Sequence, residues 1–180
     1  MQKNSTASVS GSPVFVGLDV HKAFIQVAVR DSRTCEVVEW REPHTDRGVA
    51  RLVGALKRGF SGRPVQVCYE AGPTGYDLSR RLNAENGMIC SVVAPSLIPQ
   101  KPGERVKTDR RDARKLAELL GAGLLTEVHE PSREDEARRE VSRARAAAQD
   151  DVKRAKQRLG KFLLRQSRRY PGKTTWTQKH

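Results

Sequence analysis

Aromatic side chains make up only 5% of the 180 residues, so stacking on nucleobases is not a prominent binding mode for this chain. Cysteine is nearly as scarce. Cys35, Cys68 and Cys90 are widely spaced and each falls in a strand-like segment. That spacing excludes a disulfide scaffold and a cysteine-based zinc site, and it fits a reducing cytoplasm. His44, His129 and His180 are scattered, so they support no zinc site either. No apolar run approaches the roughly 20 residues of a membrane span. The opening MQKNSTASVSGSP has no apolar stretch, so residues 1–13 read as a loose, disordered tail, not a signal peptide. Acidic residues are missing altogether beyond Asp151. From 152 to 180 there are ten Lys or Arg and no Asp or Glu.

What is present is positive charge. The formal net charge is +13 and the isoelectric point is near 10.2, which calls for a polyanionic partner, nucleic acid before membrane. Hydrophobic residues, at 37%, support a modest core, and the length allows one compact domain plus an appendage. The boundary falls near Pro131. Before it, VFVGLDV (14–20), AFIQVAV (23–29) and CEVVEW (35–40) read as three strands joined by short connections, hence an antiparallel meander. A helix capped by Thr45 or Asp46 follows, with Val49, Leu52, Val53 and Leu56 on its apolar face. VQVCYE (65–70) is a fourth strand. Gly72-Pro73 opens a helix carrying Tyr76, Leu78 and Leu82, and a fifth strand lies near Ile89 to Ala94. Residues 95–107, with three prolines, form a loop before a helix from Thr108 or Asp109 to Leu120. This order predicts an α/β, ribonuclease-H-like mixed sheet with flanking helices over 14–130.

Ser132 caps a long, highly charged helix expected to run to Tyr170, about 58 Å at 1.5 Å per residue. Val141, Arg145, Ala148, Val152, Ala155, Leu159 and Phe162 alternate steps of four and three, a weak heptad seam. The expected division is thus a coiled-coil helix over 131–170 and a short basic tail over 171–180.

Four carboxylates stand where phosphodiester chemistry would need them. Asp19 lies inside GLDVHK at the end of the first strand, Glu70 ends the fourth, and Asp109 and Asp112 begin the late helix in KTDRRDARKLAELL. The i, i+3 spacing puts the last two on one helix face, and in such a sheet the first and fourth strands are neighbours. Two Mg²⁺ ions about 3.5–4 Å apart can polarise the phosphorus, activate the nucleophile and stabilise the leaving oxygen, and Mg²⁺ prefers carboxylate oxygen. Each acid alone has a plainer explanation: a turn former, a solvated Glu, a helix N-cap. All four on three elements of one sheet favour catalysis.

GLDVHK, YEAGPTGY and KTDRRDARKLAELL, in that order, resemble the amino-terminal domain of the insertion-sequence 110 family of DEDD transposases, over roughly residues 14–170. The resemblance implies a RuvC-like fold, Mg²⁺ held by Asp19, Glu70, Asp109 and Asp112, DNA as substrate, and a coiled-coil segment after the catalytic domain. It also implies guidance by a structured RNA, and a further domain supplying a catalytic serine. That domain has no counterpart before His180, so the expectation is a truncated transposase.

Other signals rank lower. Pro171-Gly172-Lys173-Thr174 mimics the end of a phosphate loop, but position 167 is Ser where a Gly is required. His21, beside Asp19, is placed either to touch the site or to serve as a polar turn residue, the commoner role. Lys22 and Lys107 adjoin the acidic motifs, placed either to touch phosphate or to stand solvated. Lys153, Arg154, Lys156, Arg158, Lys161, Arg165, Arg168 and Arg169 are expected to grip nucleic acid in a salt-sensitive way, with homo-oligomerisation through the coiled coil. Two alternatives stay open: a stand-alone Holliday-junction resolvase-like nuclease, and a non-catalytic binding and dimerisation module.

Overall fold

A computed structural model describes residues 11–100, 108–172 and 176. Five strands form one sheet: β1 (Val14–Val20), β2 (Phe24–Asp31), β3 (Val37–Pro43), β4 (Val65–Glu70) and β5 (Met88–Val93). Their order across the sheet is β3-β2-β1-β4-β5. The first three pair antiparallel, while β4 and β5 join parallel to β1 and to each other. The helices are α1 (Asp46–Gly59), α2 (Asp77–Asn83), α3 (Asp109–Gly121) and α4 (Arg133–Arg165). This mixed sheet with flanking helices is the ribonuclease-H-like arrangement that the element order predicts.

The β-strand period of two sorts the sheet into two faces. Val14, Val16 and Leu18 of β1, with Ile25, Val27 and Val29 of β2, turn toward Val49, Leu52 and Leu56 of α1 and Leu78 and Leu82 of α2, forming the main core. The opposite face receives α3, whose Leu116 packs with Cys68 and Val93. Small residues make that approach possible. A Cβ on Gly17 would lie 2.1 Å from the Ala113 carbonyl oxygen and 2.5 Å from the Ala117 nitrogen, so only glycine lets α3 settle directly on β1. Its partner across the ladder, Ala28, is fully buried.

Three ion pairs, on two acids, tie neighbouring elements together. Arg63 donates to both Asp31 carboxylate oxygens, at 2.6 and 2.8 Å, tying the loop before β4 to the end of β2. Glu39 of β3 accepts from Arg110 (2.7 Å) and Arg114 (3.1 Å), which pins the first half of α3 across the meander. Burial pushes the Glu39 carboxyl up, but the two guanidinium bonds outweigh it and hold the group below its ordinary range.

Several boundaries differ from expectation. Cys35 sits in a turn with φ of 58° and is exposed, and β3 starts two residues later than the apolar run. The helix expected from Gly72-Pro73 begins only at Asp77. Residues 71–76 form a turn, with Gly75 at φ 69° and its carbonyl accepting from the Tyr69 hydroxyl at 3.0 Å. A 3-10 turn at Pro95–Leu97 interrupts the long loop. Cys68 and Cys90 are buried, and burial pushes the Cys90 thiol up to about 12, so neither is poised as a thiolate.

Residues 131–180 form a second compact unit, distinct from 1–130. Its helix is capped by Ser132, whose hydroxyl accepts from the Asp135 amide at 3.0 Å. It stops at Arg165, not Tyr170, because Gln166 leaves the helix and Ser167 turns left-handed at φ 56°. Its 33 residues span about 50 Å. No residue of α4 is buried, and Val141, Val152, Leu159 and Phe162 of the heptad seam lie exposed. Among the described residues, no helix is long and apolar enough to cross a membrane.

Candidate functional site

The face that receives α3 carries an ordered polar row. Cross-strand register places Asp19 of β1 beside Gln26 of β2, and Gln26 beside Arg41 of β3. Parallel pairing of β1 with β4 runs to Leu18 and Tyr69, so Asp19 and Glu70 are the next residues on each strand and share that same face. Thr108 caps α3 above this row, its hydroxyl accepting from the Arg111 amide, and puts Asp109 and Asp112 in the first turn. Acids suit that position because the helix dipole favours negative charge there.

The side chains converge most closely around three residues. One donor atom each from Asp19, His21 and Asp109 lies within 4.8 Å of the others. His21 Nε2 is 3.1 Å from Asp19 Oδ2 and 3.5 Å from Asp109 Oδ1, so it spans both carboxylates. His44 Nδ1 donates to the His21 backbone carbonyl at 2.8 Å, and the Phe24 ring lies against the imidazole with centroids 4.6 Å apart. Arg41 Nη2 donates to the other Asp109 oxygen at 3.1 Å.

The electrostatics are those of crowded acids. The Asp19 carboxyl is raised above its ordinary range, first by burial, with His21 opposing and the charges of Asp109 and Asp112 adding to the rise. Like charges in one site favour a bound cation or a retained proton. Carboxylate and imidazole donors suit a divalent ion, so the residues present fit such a metal.

Of the four acids singled out in the sequence, Asp19 and Asp109 are brought together across His21. Asp112 is close enough to act on Asp19 through its charge, and Glu70 lies at the exposed end of β4, outside the three-residue cluster. His21, read from sequence as a turn residue, is a member of that cluster. The signal available for it was its place two residues after Asp19, just past the strand end. Arg41 gave no signal, because its proximity depends on strand register. Lys22 is exposed in the turn beside the site, and Lys107 lies outside the described residues. Lys153, Arg154, Lys156, Arg158, Lys161, Arg165, Arg168 and Arg169 are all exposed, in the second unit. Lys156 Nζ stands 6.0 Å from the Trp176 ring centroid.

A profile of DEDD transposases of insertion-sequence 110 type, described as "Transposase", matches residues 16–167. The chain belongs to this family. It is 46% identical over 168 residues to y4qE of Sinorhizobium fredii, a transposase candidate, covering 92% of this chain and 42% of that protein. It is 38% identical over 170 residues to the transposase for insertion sequence element IS1533 of Leptospira borgpetersenii, covering 93% of this chain and 48% of that one. The family member described here therefore spans less than half the length of these curated relatives.

Proposed function

We propose that this chain carries the metal-binding acids of a DNA transposase, within a catalytic domain over 14–130. Asp19, Glu70, Asp109 and Asp112 would hold Mg²⁺. When bound, the metal would polarise a phosphodiester and favour ionisation of the attacking oxygen. Asp19 is fixed by a buried strand, and α3 brings Asp109 and Asp112 over it. Glu70 completes the set from the adjacent strand end. His21 bridges Asp19 and Asp109 through Nε2 and would add a nitrogen donor to the set. The carrying observation is the approach of Asp19, His21 and Asp109 to within 4.8 Å of one another, with Asp19 raised by burial and by its acidic neighbours.

The exposed basic α4, followed by the tail over 171–180, would hold nucleic acid, both DNA and a structured guide RNA. Its apolar seam, from Val141 to Phe162, would pair with a second copy. Mn²⁺ titration followed by electron paramagnetic resonance tests the metal claim on this chain, and DNA processing tests it in the longer protein. D19N should lose both while keeping its circular dichroism spectrum. Unchanged Mn²⁺ affinity in D19N would remove the claim.

A second reading, a non-catalytic binding and dimerisation module, is favoured by one observation: the stretch with ten Lys or Arg and no acid, 152–180, and the exposed apolar seam of α4 both follow Pro131, away from the four candidate site acids in sequence. Salt-dependent nucleic-acid binding with no metal dependence would select it. Efficient cleavage of branched DNA by the 180-residue chain with Mg²⁺ would select a resolvase-like nuclease.

A further inference from the structure

Arg41 is held on three sides. Its Nε donates to Gln26 Oε1 at 3.3 Å, its guanidinium carbon sits 3.9 Å above the Phe24 ring, and its Nη2 donates to Asp109 Oδ2 at 3.1 Å. Gln26 is itself only 4% exposed and is locked by its own donation to the Trp40 carbonyl at 3.0 Å. The first two contacts fix the plane and direction of the guanidinium. The third is to a carboxylate that also touches His21. Arg41 is half exposed, and its guanidinium carries N–H groups beyond the two that bond Gln26 and Asp109.

That combination is unlike a simple surface ion pair. A strut for Asp109 would need only the charge, whereas here a buried amide and an aromatic face are committed to aiming the fork. A planar guanidinium with two aligned N–H groups matches a phosphate better than a lone ammonium does. Resting on the metal reading above, we propose that Arg41 is a phosphate-binding residue of the site, resting on Asp109 until a metal ion claims that carboxylate. Once Asp109 shares its charge with a cation, the guanidinium loses its partner. Gln26 and Phe24 keep it aimed across the site, where a phosphodiester of the nucleic-acid substrate would accept its N–H groups.

The test uses the 180-residue chain, Mn²⁺ alone and dimethyl phosphate as the phosphodiester probe, in wild type, R41Q and R41K. Mn²⁺ affinity is read by electron paramagnetic resonance. Dimethyl phosphate near the ion is read by the paramagnetic relaxation of its phosphorus nucleus. R41Q should bind Mn²⁺ several-fold more tightly, because a competing cation has gone. It should weaken dimethyl phosphate on the order of tenfold, the loss of a charge-assisted hydrogen bond. R41K should restore the probe only in part. Weaker Mn²⁺ binding in R41Q would make Arg41 a strut for Asp109 and overturn the proposal, as would unchanged probe relaxation with Mn²⁺ bound. Full rescue by R41K would overturn the claim for the guanidinium fork. A wild-type chain that binds no Mn²⁺ would end the metal reading and this inference with it, whereas intact Mn²⁺ binding with an indifferent R41Q ends the inference alone.

Discussion

Gly17 of β1 lies directly beneath Ala113 of α3, with room for no side chain between them: a Cβ there would stand 2.1 Å from the Ala113 carbonyl oxygen. This contact sets the height of α3 above the sheet, and hence the distance from Asp109 and Asp112 to Asp19, two residues farther along the same strand. One glycine therefore sets the spacing of the acids.

G17A should lift α3. The clash is with backbone, which cannot rotate away, so the cost should reach about 3 kcal/mol. Urea denaturation would measure it. Mn²⁺ affinity should fall in the same protein under conditions where it remains folded. Retained stability together with unchanged affinity would show that α3 tolerates the displacement.

The Glu39 anchor acts on the same helix from its other side. E39Q replaces two charge-assisted bonds with weaker ones, and because Arg110 and Arg114 are half exposed or more, the cost should be about 1 kcal/mol. Amide hydrogen exchange should quicken in the first turns of α3 more than in α1. Equal exchange in both helices would count against the anchoring role.

The Asp31–Arg63 pair predicts a pH dependence. Arg63 donates to both oxygens of Asp31 and, with the Arg33 amide, holds its carboxyl well below the usual carboxylate range. A carboxyl lowered on folding stabilises the fold above its unfolded value, and that contribution is lost as pH falls through the folded value. D31N should therefore melt at lower temperature than wild type at neutral pH, and the gap should close in strong acid. A gap independent of pH would mean that shape, not charge, is at stake.

Asp19 predicts the opposite sign. Its carboxyl is raised, chiefly by burial, so its ionisation costs stability as pH rises through the folded value. D19N should be more stable than wild type at neutral pH without metal, the advantage disappearing in acid. Saturating Mn²⁺ should reverse the order by stabilising wild type alone.

Binding through α4 should be steeply salt-dependent. Replacing Lys153, Arg154, Lys156 and Arg158 with Gln should reduce the slope of log affinity against log salt by about 0.9 for each lost duplex phosphate contact. Filter binding across a salt series would measure this. An unchanged slope would place the nucleic-acid contacts elsewhere.

Much of this was legible in the residues. The apolar strands and α1 and α3 announced themselves through period and caps: Thr45 and Thr108 each cap a helix, and both lie where a hydroxyl precedes a periodic run. The late start of α2 was not legible. Pro73 is compatible with a first helical turn, but the Tyr69 hydroxyl takes the Gly75 carbonyl and holds the segment as a turn, a tertiary contact no local pattern contains. Asp19 and Asp109 stood out because acids beside apolar segments are conspicuous. Arg41 and Glu39 on the edge strand β3, and Gln26 on its neighbour β2, did not, because a polar residue in a strand looks the same whether it faces water or a helix. Only the register that places Gln26 between Asp19 and Arg41 tells them apart.

The sheet keeps its main core and its polar row on opposite sides. Val16, Leu18, Ile25 and Val27 face the packing layer under α1 and α2, while Asp19, Gln26, Glu39 and Arg41 face α3. An engineer could repack the first layer for heat resistance and leave the reactive side untouched, or retune the reactive side without hollowing out the interior.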